Sequence, residues 1–295
     1  MKRNAARLDQ PLRYVRAGEV ELAVLDAGSG PALVFVHGWP QHSYCWRRVG
    51  ALLADDHRVI APDLRGFGDS PVVASGFDKK TLAGDVAALI ETLDAAPCVV
   101  IGHDWGAPIA YRVAMDRPDV VHALVIINGR MPLVTRHNTL MYTPQQAAER
   151  WYFHFNRIPG LPERMIGANL RDFLDYLLVH WSAGRRVFSD EDLDELVRVH
   201  ERPGGLAAGL GLYRTALDVD ATDWLEHTGA VLDLPTLMLW GALDPVLPPV
   251  YLEGVDEVTP DVEIHVHDEA GHFLPEEAPR WCARHIANFI DRRLK

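Results

Sequence analysis

The chain has 295 residues, 48% of them hydrophobic and 24% charged, with a formal net charge of −12. That is the composition of a soluble enzyme, long enough for two small domains or for one large α/β domain carrying an insertion. The acidic balance argues against nucleic acid or an anionic membrane as partner, because both need a basic face.

No apolar stretch is long enough to span a bilayer, and the basic, polar stretch from Met1 to Tyr14 has no apolar h-region of a signal peptide. Cys45, Cys98 and Cys282 are far apart, odd in number and without ligand-like spacing, which implies reduced thiols in a cytoplasmic protein.

In chain order, short apolar runs alternate with amphipathic stretches. Ala32 to His37 ends in Gly-Trp-Pro, and Arg58 to Ala61 ends in Pro-Asp-Leu-Arg-Gly. Pro97 to Gly102 and Ala123 to Ile127 follow. Runs this short and this apolar suit strands covered on both faces, as in a parallel sheet. Between them, Leu82, Val86, Leu89, Ile90 and Leu93 form one stripe of a helix over Thr81 to Leu93, with Thr81 as the expected N-cap. Strand, helix, strand, helix predicts a doubly wound α/β domain.

From about Met131 to Asp220 the chain is rich in aromatic residues, Arg and Leu, and reads as helical. Strand patterns resume at Pro235 to Trp240 and Val262 to Val266, before a last amphipathic helix over about Ala278 to Leu294. The expected organisation is a core of residues 1–130 and 221–295 with a helical cap, 131–220, inserted between two strands. Such an insertion lies over the carboxyl ends of the strands, where open α/β sheets hold ligands.

The sharpest chemical signal is Gly102-His103-Asp104-Trp105-Gly106, between an apolar strand and a helix starting near Ala107. Flanking glycines let the chain turn sharply and expose the central residue, the nucleophile elbow that more often carries Ser. Asp104 changes the chemistry. A carboxylate needs no base for its first attack, and a helix N-terminus favours its charge. Attack on an acyl group would give a labile anhydride, whereas attack on an sp³ carbon gives an alkyl-enzyme ester that water can hydrolyse. The competing reading is an Asp that merely caps the next helix.

His272, in Gly271-His272-Phe273 after the last strand pattern, satisfies the chain order nucleophile, acid, His and is the expected base. Asp244, in Gly241-Ala242-Leu243-Asp244-Pro245, is the expected orienting acid. The earlier strand end offers only Asn128-Gly129, and an amide cannot stabilise an imidazolium by charge. Asp218, Asp220 and Asp223 read as surface residues, and Asp63 to Ser70 as a supporting turn. The backbone N–H groups of Trp39, in His37-Gly38-Trp39-Pro40, and of Trp105 are the expected oxyanion hole. His265 and His267 share one face of a strand but lack the third ligand of a metal site.

Together HGWP, DLRGFGDS, GHDWGA, GALDP and AGHFLPEEAP, in that order over nearly the whole chain, resemble the α/β-hydrolase-fold epoxide hydrolases and their dehalogenase relatives. The resemblance implies two cap tyrosines that donate hydrogen bonds to the epoxide oxygen. Tyr152 before Pro159-Gly160, and Tyr213 before Arg214, match their places. Tyrosine suits the role, since ring opening creates an alkoxide that needs an acidic O–H. Trp39, Trp105, Trp151 and Phe155 are expected to line the substrate site.

The implied reaction is hydrolysis of a small apolar epoxide by water to a vicinal diol, with no metal or organic cofactor, in a monomer or homodimer. Two alternatives stand beside it. A haloalkane or haloacetate dehalogenase would use the same Asp104, with Trp105 and Trp39 as halide donors. The places of the arginines that hold a haloacetate carboxylate contain Trp105 and Pro108 instead. A non-catalytic ligand-binding protein of this fold would have no use for Asp104, His272 and Asp244 together.

Overall fold

The apolar runs form the middle of one eight-stranded sheet in the computed structural model, which describes residues 11–134 and 144–293. In chain order the first part comprises β1 (Arg13–Ala17), β2 (Val20–Gly28), β3 (Ala32–Val36), α1 (Arg47–Leu53), β4 (Arg58–Pro62), α2 (Lys79–Thr92), β5 (Cys98–His103), α3 (Gly106–Asp116) and β6 (Val121–Ile127). A helical stretch follows: α4 (Pro144–Glu149), α5 (Trp151–Arg157), α6 (Leu161–Gly167), α7 (Leu170–Trp181), α8 (Asp190–Glu201), α9 (Gly205–Thr215) and α10 (Val219–Glu226). The sheet is completed by β7 (Thr236–Gly241) and β8 (Val262–His267), with α11 (Val255–Val258) between them and α12 (Leu274–Glu277) and α13 (Pro279–Arg293) after them.

The strand order is β1-β2-β4-β3-β5-β6-β7-β8. β2 is antiparallel to both neighbours, and every pair from β4 to β8 is parallel. From β3 the chain goes to β4 on one side and then to β5 on the other. The order therefore reverses between β3 and β5, and the crevice of an open α/β sheet lies at the carboxyl ends of such a pair. Those ends carry Gly38 and Asp104.

Period-two alternation divides the apolar residues between two faces. Leu33, Phe35, Val99, Ile101, Val125 and Leu239 pack with Val49 of α1 and Ile286 and Phe289 of α13. Val34, Val36, Val100, Leu124 and Met238 pack with Leu82 and Val86 of α2 and Ile109 of α3, on the side that also joins the cap.

Several expectations shift. The β1–β2 hairpin was not anticipated; Gly18 opens its two-residue turn at φ 59, a conformation that suits glycine. α2 begins two residues before Thr81 and is capped by Asp78, whose carboxylate accepts the Thr81 N–H at 2.8 Å. The helical insertion runs past Asp220, to Glu226. Asp218 is exposed as expected, but Asp220 is buried and Asp223 pairs with the buried Arg112, because α10 packs onto α2 and α3. The expected ends at Met1 and Leu294, and cap residues 135–143, lie outside the described residues. Among the described residues no helix is long and apolar enough to cross a membrane, and the three cysteines are free and buried.

Ile101 is fully buried in the central strand beside Asp104. Ile101→Ala is expected to cost about 2–5 kcal/mol, read as a lower urea midpoint with an unchanged slope.

Candidate active site

Asp104 follows β5 directly, at φ 54, and α3 starts two residues later. A non-glycine residue in the left-handed region is held there only by its surroundings. Here the surroundings are tight. A Cβ on Gly38 would fall on the Asp104 carboxylate, one on Gly102 on the Gly106 carbonyl, and one on Gly106 on the Val36 carbonyl. The backbone N–H of Trp39 donates to Asp104 Oδ1 at 2.8 Å. The Asp104 side chain, 11% exposed, thus stands between that donor and the N-terminal end of α3, two sources of positive potential.

His272 reaches Asp104 from the loop after β8. Its backbone N–H is fixed by the Trp181 carbonyl at the end of α7, at 2.8 Å. The ring is fully buried, with Nδ1 2.9 Å from Asp244 Oδ2 and Nε2 3.4 Å from Asp104 Oδ2. Asp244 Oδ1 accepts the N–H groups of Val246 and Leu247 at 2.7 and 2.9 Å. Its Oδ2 also accepts Asn128 Nδ2 at 2.7 Å.

Burial by itself would lower the basicity of His272. The two carboxylates more than reverse that and raise its pKa to about 10. His37, His103 and His200, buried chiefly without such support, are pushed down to about 4 and stay neutral. His37 then serves structure: its Nε2 accepts the Leu64 N–H at 3.0 Å while Nδ1 faces the Gly38 carbonyl, also at 3.0 Å. The turn from Asp63 to Ser70 is likewise a support, with Asp63 accepting the Ser43 and Asp69 N–H groups at 2.8 Å each.

The cap closes the site from above. Tyr152 on α5 and Tyr213 on α9 are buried, with ring centroids 6.1 Å apart and planes at 89°. Burial, reinforced by the Asp104 charge, raises both phenol pKa values, so both remain O–H donors. With Asp104 and Trp105 they line a cavity of about 450 Å³, the size of a small-molecule pocket.

Residues 31–279 match the α/β hydrolase fold family. The chain belongs to that family. It is 37% identical over 261 residues, 86% of its own length and 88% of the relative's, to the soluble epoxide hydrolase of Corynebacterium sp. (strain C12). It is 32% identical over 238 residues, 78% of this chain and 77% of the relative, to the fluoroacetate dehalogenase of Burkholderia sp.. The solved structure of the epoxide hydrolase CorEH superimposes with a TM-score of 0.86 at 31% identity, covering 95% of this chain and 98% of that one.

In this hydrolase, then, Asp104, His272 and Asp244 meet at one point, with the Trp39 N–H on the nucleophile. The Trp105 N–H stands at the N-cap of α3. Trp105 also lines the cavity, but Trp39, Trp151 and Phe155 do not. Trp39 is sealed behind the site at 1% exposed, against Tyr213 and Trp181. Trp151 and Phe155 are four apart on α5, so they share a face, and their rings pair at 5.7 Å. Phe153 and His154 line the cavity instead, together with Lys79, Arg130 and Arg150. His265 bonds Glu263 at 2.6 Å, and its ring lies 4.2 Å from that of His285.

Asn128, set aside as an acid, was missed in its second capacity as a donor that holds Asp244. Its place at a strand end was the available signal.

A histidine whose folded pKa lies above its ordinary 6.5 contributes stability that is complete below about pH 6.5 and is lost as pH rises through about 10. Urea unfolding of the wild type should therefore show a loss of stability between about pH 7 and pH 9.5 that is missing in His272→Gln. Equal pH slopes in the two proteins would contradict the charged His272 between Asp104 and Asp244.

Proposed function

We propose that this protein hydrolyses epoxides to vicinal diols through a covalent ester on Asp104. The observation that carries the reading is the shared cavity: the elbow carboxylate Asp104 and two buried cap tyrosines, Tyr152 and Tyr213, line the same space. An epoxide between them presents a carbon to Asp104 and its oxygen to Tyr152 and Tyr213. As the carboxylate forms its bond to carbon, the ring C–O bond breaks, and the developing alkoxide draws hydrogen bonds and finally a proton from the phenols.

Esterification changes the charge around His272. In the resting site the ring lies between two carboxylates and holds its proton. Once Asp104 is an ester, one of those charges is gone and the basicity of His272 falls. It can then release that proton, restoring the phenol through solvent, and become the base that the second step needs. Neutral His272, oriented by Asp244, takes a proton from water, and the hydroxide attacks the ester carbonyl. The Trp39 N–H, which bonds Asp104 Oδ1 at rest, donates to the resulting oxyanion, with the Trp105 N–H as the second donor. Collapse breaks the ester C–O bond; the departing diol oxygen takes the proton of the added hydroxyl, which regenerates the Asp104 carboxylate beside protonated His272. The chemistry calls for no metal or organic cofactor.

A second reading is favoured by two observations together: the identity to a fluoroacetate dehalogenase and the two guanidinium groups, Arg130 and Arg150, on the cavity wall. In it Asp104 displaces a halide, and the arginines receive a carboxylate.

A panel of aryl and alkyl epoxides run beside haloalkanes and haloacetate separates the two. The epoxide reading expects diol formation, loss of turnover in Asp104→Asn, and a decrease of about 10²-fold or more in Tyr152→Phe/Tyr213→Phe. His272→Gln should accumulate a mass adduct on Asp104. Halide release without diol, indifferent to the tyrosines, would move the enzyme to the dehalogenase reading.

A further inference from the structure

One buried ion pair on the cavity wall has no part in the chemistry above. Lys79, at the start of α2, and Asp220, in α10, are 2% and 4% exposed, with Nζ and Oδ2 2.7 Å apart. Removing two charges from water is costly unless their hydrogen bonds are complete. These are complete. The ammonium has three protons, and they meet Asp220 Oδ2 at 2.7 Å, the Leu212 carbonyl at 2.6 Å and Thr215 Oγ1 at 3.2 Å. Thr215 Oγ1 lies 2.9 Å from Asp220 Oδ2, and the Lys79 backbone N–H donates to Asp220 Oδ1 at 2.8 Å. With every proton engaged, Lys79 has none left for a substrate.

What the lysine holds is more informative. Leu212 immediately precedes Tyr213, and its carbonyl belongs to the last turn of α9, where carbonyls lack helical partners and a cation is favourable. The same ammonium lies 4.3 Å from the centroid of the Trp105 ring, a cation–π contact. Trp105 immediately follows Asp104, and its ring stands at 85° to that of Tyr213, with centroids 5.2 Å apart. One cation from the core therefore fixes the backbone of the cap tyrosine and the indole against which that tyrosine packs.

We propose that Lys79 is a positioning residue for the attack step, setting the Tyr213 hydroxyl relative to the Asp104 carboxylate through the Leu212 carbonyl and the face of Trp105. This rests on the reading that Tyr213 donates to the epoxide oxygen. Proton donation requires hydrogen-bond reach, and a misplacement of about 1 Å costs on the order of 10²-fold in rate. Tyr213 acts only while the ester forms. Its displacement slows ester formation and leaves unaltered ester hydrolysis, which depends on His272, Asp244 and the backbone N–H groups of Trp39 and Trp105, the latter fixed at the N-cap of α3 and not by the indole ring. A strut that merely held the fold together would slow both steps or neither.

Rapid-quench mass spectrometry of the Asp104 adduct reads the two steps separately, using whichever of styrene oxide, cyclohexene oxide and 1,2-epoxyhexane is turned over fastest. Lys79→Met is expected to slow adduct formation by about 10- to 100-fold with adduct decay unchanged, and to add almost nothing in a Tyr213→Phe background. Because that change leaves Asp220 as an uncompensated buried carboxylate, Lys79→Met/Asp220→Leu, which removes both charges, is measured as well and should show the same selective defect. Normal adduct formation in the folded double variant, equal slowing of both steps, or a loss that adds fully to that of Tyr213→Phe overturns the proposal. Wild-type adduct formation in Tyr213→Phe alone would instead overturn the reading on which it rests.

Discussion

A carboxylate standing in a backbone conformation that few side chains adopt is the constraint from which the rest of this molecule follows. Asp104 is held at positive φ because the end of β3 and the start of α3 press against the elbow so closely that Gly38, Gly102 and Gly106 leave no room for a Cβ. That contact exists only where strand order reverses between β3 and β5, so sheet topology and nucleophile are one problem with one solution. The two apolar layers supply the stiffness that keeps the strained residue in place.

Electrostatics then gives the site its sequence of events. His272 lies between Asp104 and Asp244, and its raised basicity comes from two negative charges overcoming burial. Converting one of those charges into an ester weakens that support. In the proposed reaction the same imidazole is a proton holder before the attack and a base after it. Asp244 can play its part because Asn128 and the N–H groups of Val246 and Leu247 satisfy it in full. The cap adds donors whose protons burial retains, Tyr152 and Tyr213.

Most of the core was legible in the sequence because a strand covered on both faces leaves a wholly apolar run, as in Ala32 to Val36 or Ala123 to Ile127. Asp104, His272 and Asp244 were legible because each sits in a short motif at a strand end, and the structure brings them together. The β1–β2 hairpin was not, since its half-exposed alternation is a weaker signal than a buried run. On α5 the cavity is lined by Tyr152, Phe153 and His154 and not by Trp151 and Phe155: aromatic residues crowd this helix, and only its rotation decides which face the cavity. Lys79 and Asp220 were invisible for a further reason. They are far apart in the chain, and each alone resembles a solvated charge; only the docking of α10 on α2 makes them a buried pair.

In the proposed reaction the oxygen entering the first diol comes from Asp104 and not from solvent. A single turnover in H₂¹⁸O with enzyme in excess tests it most directly. An ester on Asp104 gives an unlabelled first diol and ¹⁸O in the peptide that contains Asp104. Label in the diol of that first turnover, with none in the peptide, would mean that water opens the ring directly and would contradict the ester on Asp104.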